Sequence, residues 1–506
     1  MQLIQEPPAA EHAVATPAKP YTAPSREIWA WGVGALTSHL LIQTFAQASK
    51  IFTIGFGINA VILGWAMMLP RLVDAVVDPY LGHLSDNTHT RWGRRKPYLV
   101  IGAVLGSVFL CAMWWADPRW SERALLIYIG VLGTLCYLCY GLYTMAWTAV
   151  GYELTDDYNE RSKVAAVGAL FLAVVALNSA WIFRVALMPM FGATTVIDGK
   201  TVGDPVIGMR WLSAILSVVI IVAALVAAKF CKERFAHVNR THTALLPALR
   251  TTLKNRPFVI LLLIKVCQLF GERLSGGLLA FLAIYYVCNG DKTLGTSIEG
   301  IGGTIGTVWS FALLPLIKPI STKFGKRAAM ILGASISLAA AGAQPFILNP
   351  QYPYLMLIPA LVVSPLMLIA NTIANAVVPD ICDLDELQTG ERREGLFTAV
   401  MGFMAKMEIS LCTLLVGYMV AWSGLNLKLT GPQSADVLHR LYWIAIIPNI
   451  VFTLGAFVLT LMFPMTAKSA DAVRTELDRR RHAKAALGVP TDAVAEADVL
   501  GDPRVD

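Results

Sequence analysis

Twelve stretches of this chain are each long and apolar enough to cross a bilayer, and that feature leaves few architectures open. A helix needs about 20 mostly apolar residues to span the hydrocarbon core. Along the 506 residues such stretches fall at 28–49, 54–82, 97–116, 124–152, 162–190, 208–230, 257–288, 299–320, 327–347, 353–379, 395–423 and 439–465. Only 15% of the residues are charged and 56% are hydrophobic, where an ordinary soluble domain carries about 25% charge. A soluble enzyme or a disordered chain is excluded, because neither could cover so much apolar surface with so few polar groups. In lipid every backbone group must be satisfied internally, so the spans are helices and the class is an all-α membrane protein.

Loop charges set the expected orientation. Arg91, Arg94, Arg95 and Lys96 follow span 2, a basic loop at 231–256 follows span 6, Lys318, Lys323, Lys326 and Arg327 follow span 8, and Arg474, Arg479, Arg480 and Arg481 follow span 12. These fall on one side if both termini are cytoplasmic, as an even span count also requires. Topology accounts for the basic runs, so no nucleic-acid partner is inferred. The plasma membrane, the inner membrane in a bacterium, is the expected location, and a monomer is expected. The segments read as a flexible cytoplasmic tail at 1–27 without a signal-peptide pattern, a six-helix bundle at 28–230, a cytoplasmic loop at 231–256, a second bundle at 257–465 and a tail at 466–506. The Arg-rich stretch of that last tail has the composition of a short helix lying on the inner leaflet.

The two bundles repeat. Arg91-Trp92-Gly93-Arg94-Arg95 follows span 2 and Lys323-Phe324-Gly325-Lys326-Arg327 follows span 8, 232 residues later. Each is a basic turn with a central Gly that permits a tight reversal. Gly82, Asp86, Arg91, Gly93, Arg94 and Arg95 also fit, with one extra residue before Arg91, the loop motif of major facilitator transporters, and are the candidate cytoplasmic gate. Twelve helices in two pseudo-symmetric six-helix halves is that superfamily's layout. The Cys136/Cys139 pair lies inside an apolar span and reads as helix packing, not a zinc site.

Ionisable residues at membrane depth are costly, so each is a site candidate. In span 2, Arg71, Asp74 and Asp78 share a helix face at i, i+3 and i+7. Two carboxylates one turn apart need a proton, a cation or a basic side chain between them. Their hard oxygens suit Na+ and a shared proton equally, so either H+ or Na+ is the candidate coupling ion and no other cofactor is expected. Arg71 offers the competing explanation of a structural ion pair with Asp74. Lys406 in span 11 is a counter-ion candidate for the doublet, and Glu408, two residues on, points elsewhere. Substrate-lining candidates are Lys265, Gln268 and Glu272 in span 7, His39 and Gln43 in a polar stripe with Gln47 in span 1, and Asn371 and Asn375 in span 10. Lys265 and Glu272 could instead pair with each other. Tyr140, Tyr143 and Trp147 in span 4 present an aromatic stripe on which a sugar ring could stack.

RLVDAVVDPYLGHLSDNTHTRWGRRKPYLVIGA and VVPDICDLDELQTGERREGLFTAVMGFMAKMEISL resemble the second helix with its loop, and the helix 10–11 segment, of the glycoside–pentoside–hexuronide:cation symporters. ERSKVAAVGALF resembles the family's loop into helix 5. The resemblance implies the major facilitator fold, a cation site at Asp74 and Asp78, a communicating role for Lys406 and a sugar-stacking role for Trp147. Three positions depart from the family's sugar-gripping pattern: Ala35 and Tyr143 stand where it has acids, and Gly168 where it has an Arg. Val77 stands where the family has an Asn between the paired acids.

Together these readings lead to cation-coupled symport of a sugar-like solute by alternating access, without covalent chemistry. The acid doublet is expected to stay unsatisfied until a small cation arrives. The rival readings are a lysolipid or amphiphile carrier of the same fold and a non-transporting membrane scaffold.

Overall fold

A computed structural model describes residues 22–88, 90–117, 119–155, 157–192, 194–197, 200–233, 252–391, 393–427 and 433–486. In the first half, α1 (Ser25–Ala46) runs on through Gln47 into the short α2 (Ala48–Phe56). After it come α3 (Ala60–Asn87), α4 (Lys96–Met113), α5 (Glu122–Tyr152), α6 (Tyr158–Ala186) and α7 (Pro205–Phe230). A two-stranded antiparallel hairpin, β1 (Thr194–Ile197) and β2 (Lys200–Gly203), fills the α6–α7 connection. The second half comprises α8 (Arg256–Phe281), which ends in a π turn at Leu282–Val287, then α9 (Lys292–Leu313), α10 (Ile317–Phe324) and α11 (Lys326–Ile347). It continues with α12 (Ile358–Thr389), α13 (Glu394–Ser423) and α14 (Ala435–Leu461). A last helix, α15 (Ala467–Ala486), follows.

Twelve long helices therefore match the twelve apolar stretches. Nine of them, among the described residues, are apolar enough by composition alone to cross a membrane. The three that fall short, α1, α8 and α9, carry polar residues toward the interior. Two helices have ends that differ most from the hydropathy reading, α9 and α12. Helix α9 begins seven residues before the expected 299, because Asp291 caps it by accepting from the Thr293 and Leu294 N–H groups. Capping by a side-chain oxygen fixes a helix start that a hydropathy window passes over. Helix α12 runs ten residues past the expected 379 and stops at Gly390, which takes a left-handed conformation.

Each half packs on itself: α4 lies against α5 and α7, α1 against α7, α8 and α11 against α14, and α12 against α11. The seam between halves is made by α3 with α13 and by α6 with α9. Along it lie Lys50–Glu299, Trp65–Tyr418, Trp181–Thr304 and Arg184–Ser297. These contacts sit at the ends of the helices away from the basic turns. Among the described residues, the hydrogen bond between halves nearest the basic side is that of Lys406 with Asp78.

Two tail expectations change. Helix α1 starts at Ser25, with Glu27 buried inside the expected tail segment. The Arg-rich stretch is a helix, but it docks on protein. Arg474 bonds Asp380 at 2.6 Å, Arg481 bonds Glu386 at 3.0 Å, Arg480 donates to the Leu387 carbonyl, and Leu477 is buried. Acids on the last turns of α12 take up these guanidinium groups. Most of the basic central loop, 234–251, lies outside the described residues.

Candidate functional site

The Asp74/Asp78 doublet sits on α3 at the seam, and α13 brings Lys406 onto it from 332 residues away. The Lys406 ammonium donates to Asp74 Oδ2 at 2.9 Å and to Asp78 Oδ2. The doublet is thus bridged, not bare as the sequence led us to expect. The bridge is reachable: Lys406 is 36% exposed and Asp78 22%, while Asp74 is 5% exposed. Asp74 Oδ1 is buried without a hydrogen-bond partner. It faces α5 at Gly141, where an added Cβ would lie 3.0 Å from it and 3.4 Å from Asp78 Oδ1. Lys406 therefore holds one oxygen of each acid, and the other two face a notch that only glycine leaves open. Two carboxylates and one ammonium leave the triad one negative charge in excess.

Arg71 does not neutralise Asp74. It donates to the Tyr137 hydroxyl at 2.8 Å, to the Ile409 carbonyl at 3.0 Å and to Thr413 Oγ1. It thus links α3 to α13 one turn from the doublet through neutral acceptors.

Two cavities of about 650 and 380 Å³ share Arg273 in their walls, and the smaller is also lined by Arg71, on the same helix as the doublet. The larger is walled by α8, α12 and α13, and Lys265, Asn371, Asn375 and Glu408 face it. Arg71, Gln47, Lys50 and Glu272 line the smaller. Lys265 and Glu272, expected as an alternative pair on one helix face, are not partners, since Lys265 instead donates to Asn375 Oδ1 at 2.7 Å. Asn371 and Asn375 are exposed one turn apart on α12. Gln268 is half-buried on α8 and Gln43 half-buried on α1.

Arg273 is the residue that sequence reasoning missed. Its Nε lies 3.8 Å from Glu408 Oε1, with the arginine 43% exposed and the glutamate 3% exposed. Its signal was present, a second charge directly after Glu272 in an apolar run, but the i, i+3, i+7 pattern of its neighbours drew attention away from it.

The first half closes its share of the wall with aromatics. Trp147 stacks on Trp31 at 4.7 Å with planes 8° apart. Each indole N–H donates to the other residue's carbonyl, at 3.0 and 2.9 Å. Trp147 therefore presents neither its stacked face nor its N–H to a solute. Tyr143 is fully buried and donates to the Gly34 carbonyl at 2.9 Å, so it is not a lining residue. Tyr140 packs edge-on against Tyr137. His39 turns its Nδ1 to the Ala35 carbonyl at 2.9 Å instead of into the cavity. Gly168 makes the stack possible, because a Cβ there would come within 2.9 Å of the Trp31 ring.

On the basic side, Gly93 takes φ +112° and Glu233 accepts from the N–H groups of Arg94, Arg95 and Lys96 at 2.8, 2.9 and 3.1 Å. The Arg94 and Arg95 side chains meet Glu153 at 3.0 and 2.5 Å. Arg91 lies over the Trp92 ring. Of the remaining gate-motif residues, the side chains of Gly82 and Asp86 lie outside the described residues. In the repeat, Gly325 takes φ +79° and Lys326 meets Asp380 at 2.5 Å. Among the described residues there is no group of three or more His, Cys, Asp or Glu arranged to hold a metal ion.

Comparison with known proteins agrees with this architecture. The family model described as MFS/sugar transport protein matches residues 31–467. The inner membrane symporter YicJ of Escherichia coli (strain K12) is 24% identical over 88% of this chain and 93% of its own length. The putative glycoside/cation symporter YagG of the same strain is 24% identical over 92% and 97%. The crystal structure of the nucleoside transporter NupG superposes with a TM-score of 0.59 at 12% identity, covering 87% of this chain and 99% of that one, a likeness of fold. The chain is a multi-pass membrane protein of the major facilitator fold and belongs to the MFS/sugar transport protein family.

Proposed function

We propose that the protein is a secondary active symporter that couples a sugar-like solute to one monovalent cation, H+ or Na+, through Asp74, Asp78 and Lys406. The observation that carries this reading is the ammonium bridge itself. It ties the two halves together, next on α13 to Ala405 and Glu408 of the larger cavity's wall, and leaves an acid oxygen at Asp74 buried and unbonded. A buried charge cluster carrying one unneutralised charge is costly to seal from water. While the cavity is open on the basic side, Lys406 substitutes for the cation. A cation arriving from the other side takes the acids, frees Lys406 from one of them and neutralises the cluster, which lowers the cost of closing the halves around it.

On this reading the basic loops face the cytoplasm, the membrane is the plasma membrane or bacterial inner membrane, and the described conformation is inward-open after release. Solute and cation must favour the same closed state, and the linkage is reciprocal. The related protein named a putative glycoside/cation symporter supports both a sugar-like solute and a coupling ion. The amphiphile-carrier and scaffold readings are weaker, because the cavity wall carries Lys265, Arg273, Asn371 and Asn375, which neither role requires.

The test is uptake into proteoliposomes of a solute panel under an imposed Na+ or H+ gradient, for the native protein and Asp74→Asn. Gradient-driven accumulation is expected to fall at least tenfold in the variant, with solute exchange at equal concentrations retained. Accumulation that survives Asp74→Asn rules out the coupling assignment.

A further inference from the structure

We propose that Lys50 and Glu299 form an ionic latch that holds the two halves shut on the face away from the basic turns and closes the smaller cavity toward that face. The latch is separate from the Asp74–Asp78–Lys406 bridge and goes beyond the coupling role given to that bridge.

The first observation is the pair itself. Lys50 on α2 donates to Glu299 Oε1 on α9 at 2.5 Å, across 249 residues of sequence. The side chains are 18% and 20% exposed. The neighbouring bonds between α6 and α9, Trp181–Thr304 and Arg184–Ser297, both end on hydroxyls. Lys50–Glu299 therefore joins the halves by opposite full charges at this end, and removing either member leaves the other half-buried and unpaired. The Lys50 ammonium also lies 5.5 Å from the centroid of the Phe183 ring on α6.

The second observation is the fit of the surface around the pair. Next to Glu299, a Cβ added at Gly300 would lie 2.8 Å from the Trp181 ring, and one added at Gly303 would clash with Ala180 Cβ. Small residues let two membrane helices approach closely. Parting α6 from α9 thus breaks the ion pair and the glycine contacts together.

The third observation is position. Ala46, Gln47, Ser49 and Lys50 line the smaller cavity, and Lys50 is the last of them along α2 toward the face away from the basic turns. It gives its ammonium to Glu299, so the seam is tied where that stretch of wall ends.

The fourth observation is polarity. At the bridge the first half supplies two acids and the second an ammonium; at the latch the first half supplies the ammonium and the second the acid. One ammonium against one carboxylate is balanced, so the latch closes without an ion, whereas the triad carries one negative charge in excess. The coupling ion then acts at one pair, and the other holds its face shut in the empty protein.

The experiment reads access to the smaller cavity from each face. Ser49→Cys places a reporter thiol in its wall in the full-length chain. A membrane-impermeant maleimide is applied to right-side-out and inside-out membrane vesicles, and the signal of the chain without the reporter is subtracted. With the latch intact, labelling from inside-out vesicles is expected to be about fivefold faster than from right-side-out ones, since one state dominates. Lys50→Gln or Glu299→Gln should raise labelling from right-side-out vesicles by about threefold or more, because each removes the attraction that favours that state. Lys50→Arg, which keeps the charge, should label like the reporter chain. Exchanging the charges, Lys50→Glu with Glu299→Lys, should return labelling to within about twofold of it, since the pair is re-formed. The inference falls if both neutral variants label like the reporter chain, or if the exchanged pair labels like the neutral variants. Should the slow face prove to be that of the inside-out vesicles, with the variants opening it, the latch stands and the assigned orientation is reversed. Labelling uses neither solute nor ion gradient, so accumulation that survives Asp74→Asn would sink the symport reading and leave the latch in place.

Discussion

The two halves repeat one backbone device and secure it with opposite charge. Gly93 and Gly325 both turn the chain with positive φ after the corresponding helix, and each is approached by the segment that follows the sixth long helix of its own half. In the first half that segment brings an acid: Glu233 accepts from three consecutive backbone N–H groups of the turn. In the second it brings the arginines of α15 to Asp380, Asp383 and Glu386 of α12. The same division runs through the site, where the first half supplies the carboxylate pair and the second supplies Lys406. Repetition of the backbone gives two bundles of like construction, and divergence of the charges lets them meet as an ion-paired seam.

The sharpest break of this comparison is at the bridge. Lys406→Gln leaves two carboxylates one turn apart without a cation. Removing one partner of a fully buried pair costs about 3–5 kcal/mol. Lys406 is 36% exposed, so screening reduces the expected loss to about 1–2 kcal/mol. Thermal melting of the purified protein should register it, and Asp78→Asn in the same chain should recover most of the loss. An unchanged melting temperature in the single variant would show that the bridge contributes nothing to holding the halves together.

The turns offer a finer contrast. At Gly93 an added Cβ would meet Glu233 Oε1 at 2.8 Å, whereas at Gly325 the nearest atom is Ala467 Cβ at 3.7 Å. Both substitutions carry the strain of positive φ, about 1 kcal/mol. Only Gly93→Ala also dislodges a carboxylate held by three N–H groups, which raises its cost to about 2–3 kcal/mol. Melting curves of Gly93→Ala and Gly325→Ala should therefore separate, with the first lower. Equal losses would mean that Glu233 yields freely and that the first turn is not fastened by it.

The smallest effect is in pH. Burial pushes the Glu153 carboxyl above its ordinary value, against the pull of Arg95 and Arg94. A carboxyl raised on folding favours the protonated native state, so stability falls as pH rises from the ordinary glutamate value through the folded one. On α15, hydrogen bonds from Arg479 and then Arg480 hold Glu476 below its ordinary value. Its contribution is present above the ordinary value and is lost as pH falls through the lowered one. Glu153→Gln should flatten the decline between the ordinary glutamate value and the raised one. Glu476→Gln should act only on the acid side and vanish in high salt, since the pair is exposed. Identical pH profiles for the two variants would erase the contrast between the halves.

Much of the site could be read along the chain, and the unread part has a definite character. Asp74, Asp78 and Lys406 stood out because charge inside an apolar run is rare, and the family resemblance implied that they communicate. Arg273 was passed over beside a better-patterned neighbour, and Tyr143 and Trp147 were expected at the wall because periodicity gives a face but not what lies against that face. Trp31 gave no signal at all, since a tryptophan near a helix start reads as an interfacial residue. Glu153 and Glu233 lie in connections, and Asp380 lies just past the apolar stretch of α12, where hydropathy is blind.

The sequence by itself determined twelve crossings, their division into two halves and which of them carry charge, because lipid penalises each polar residue where it stands, independently of its partners. Only the tertiary structure decided the pairings: Lys406 on two acids more than 300 residues away, Arg71 on neutral acceptors instead of its neighbour on the same face, and one tryptophan stacked over another. Hydrogen bonds and ion pairs act over a few Ångströms, so which groups meet depends on how the helices are packed, and no local pattern encodes that.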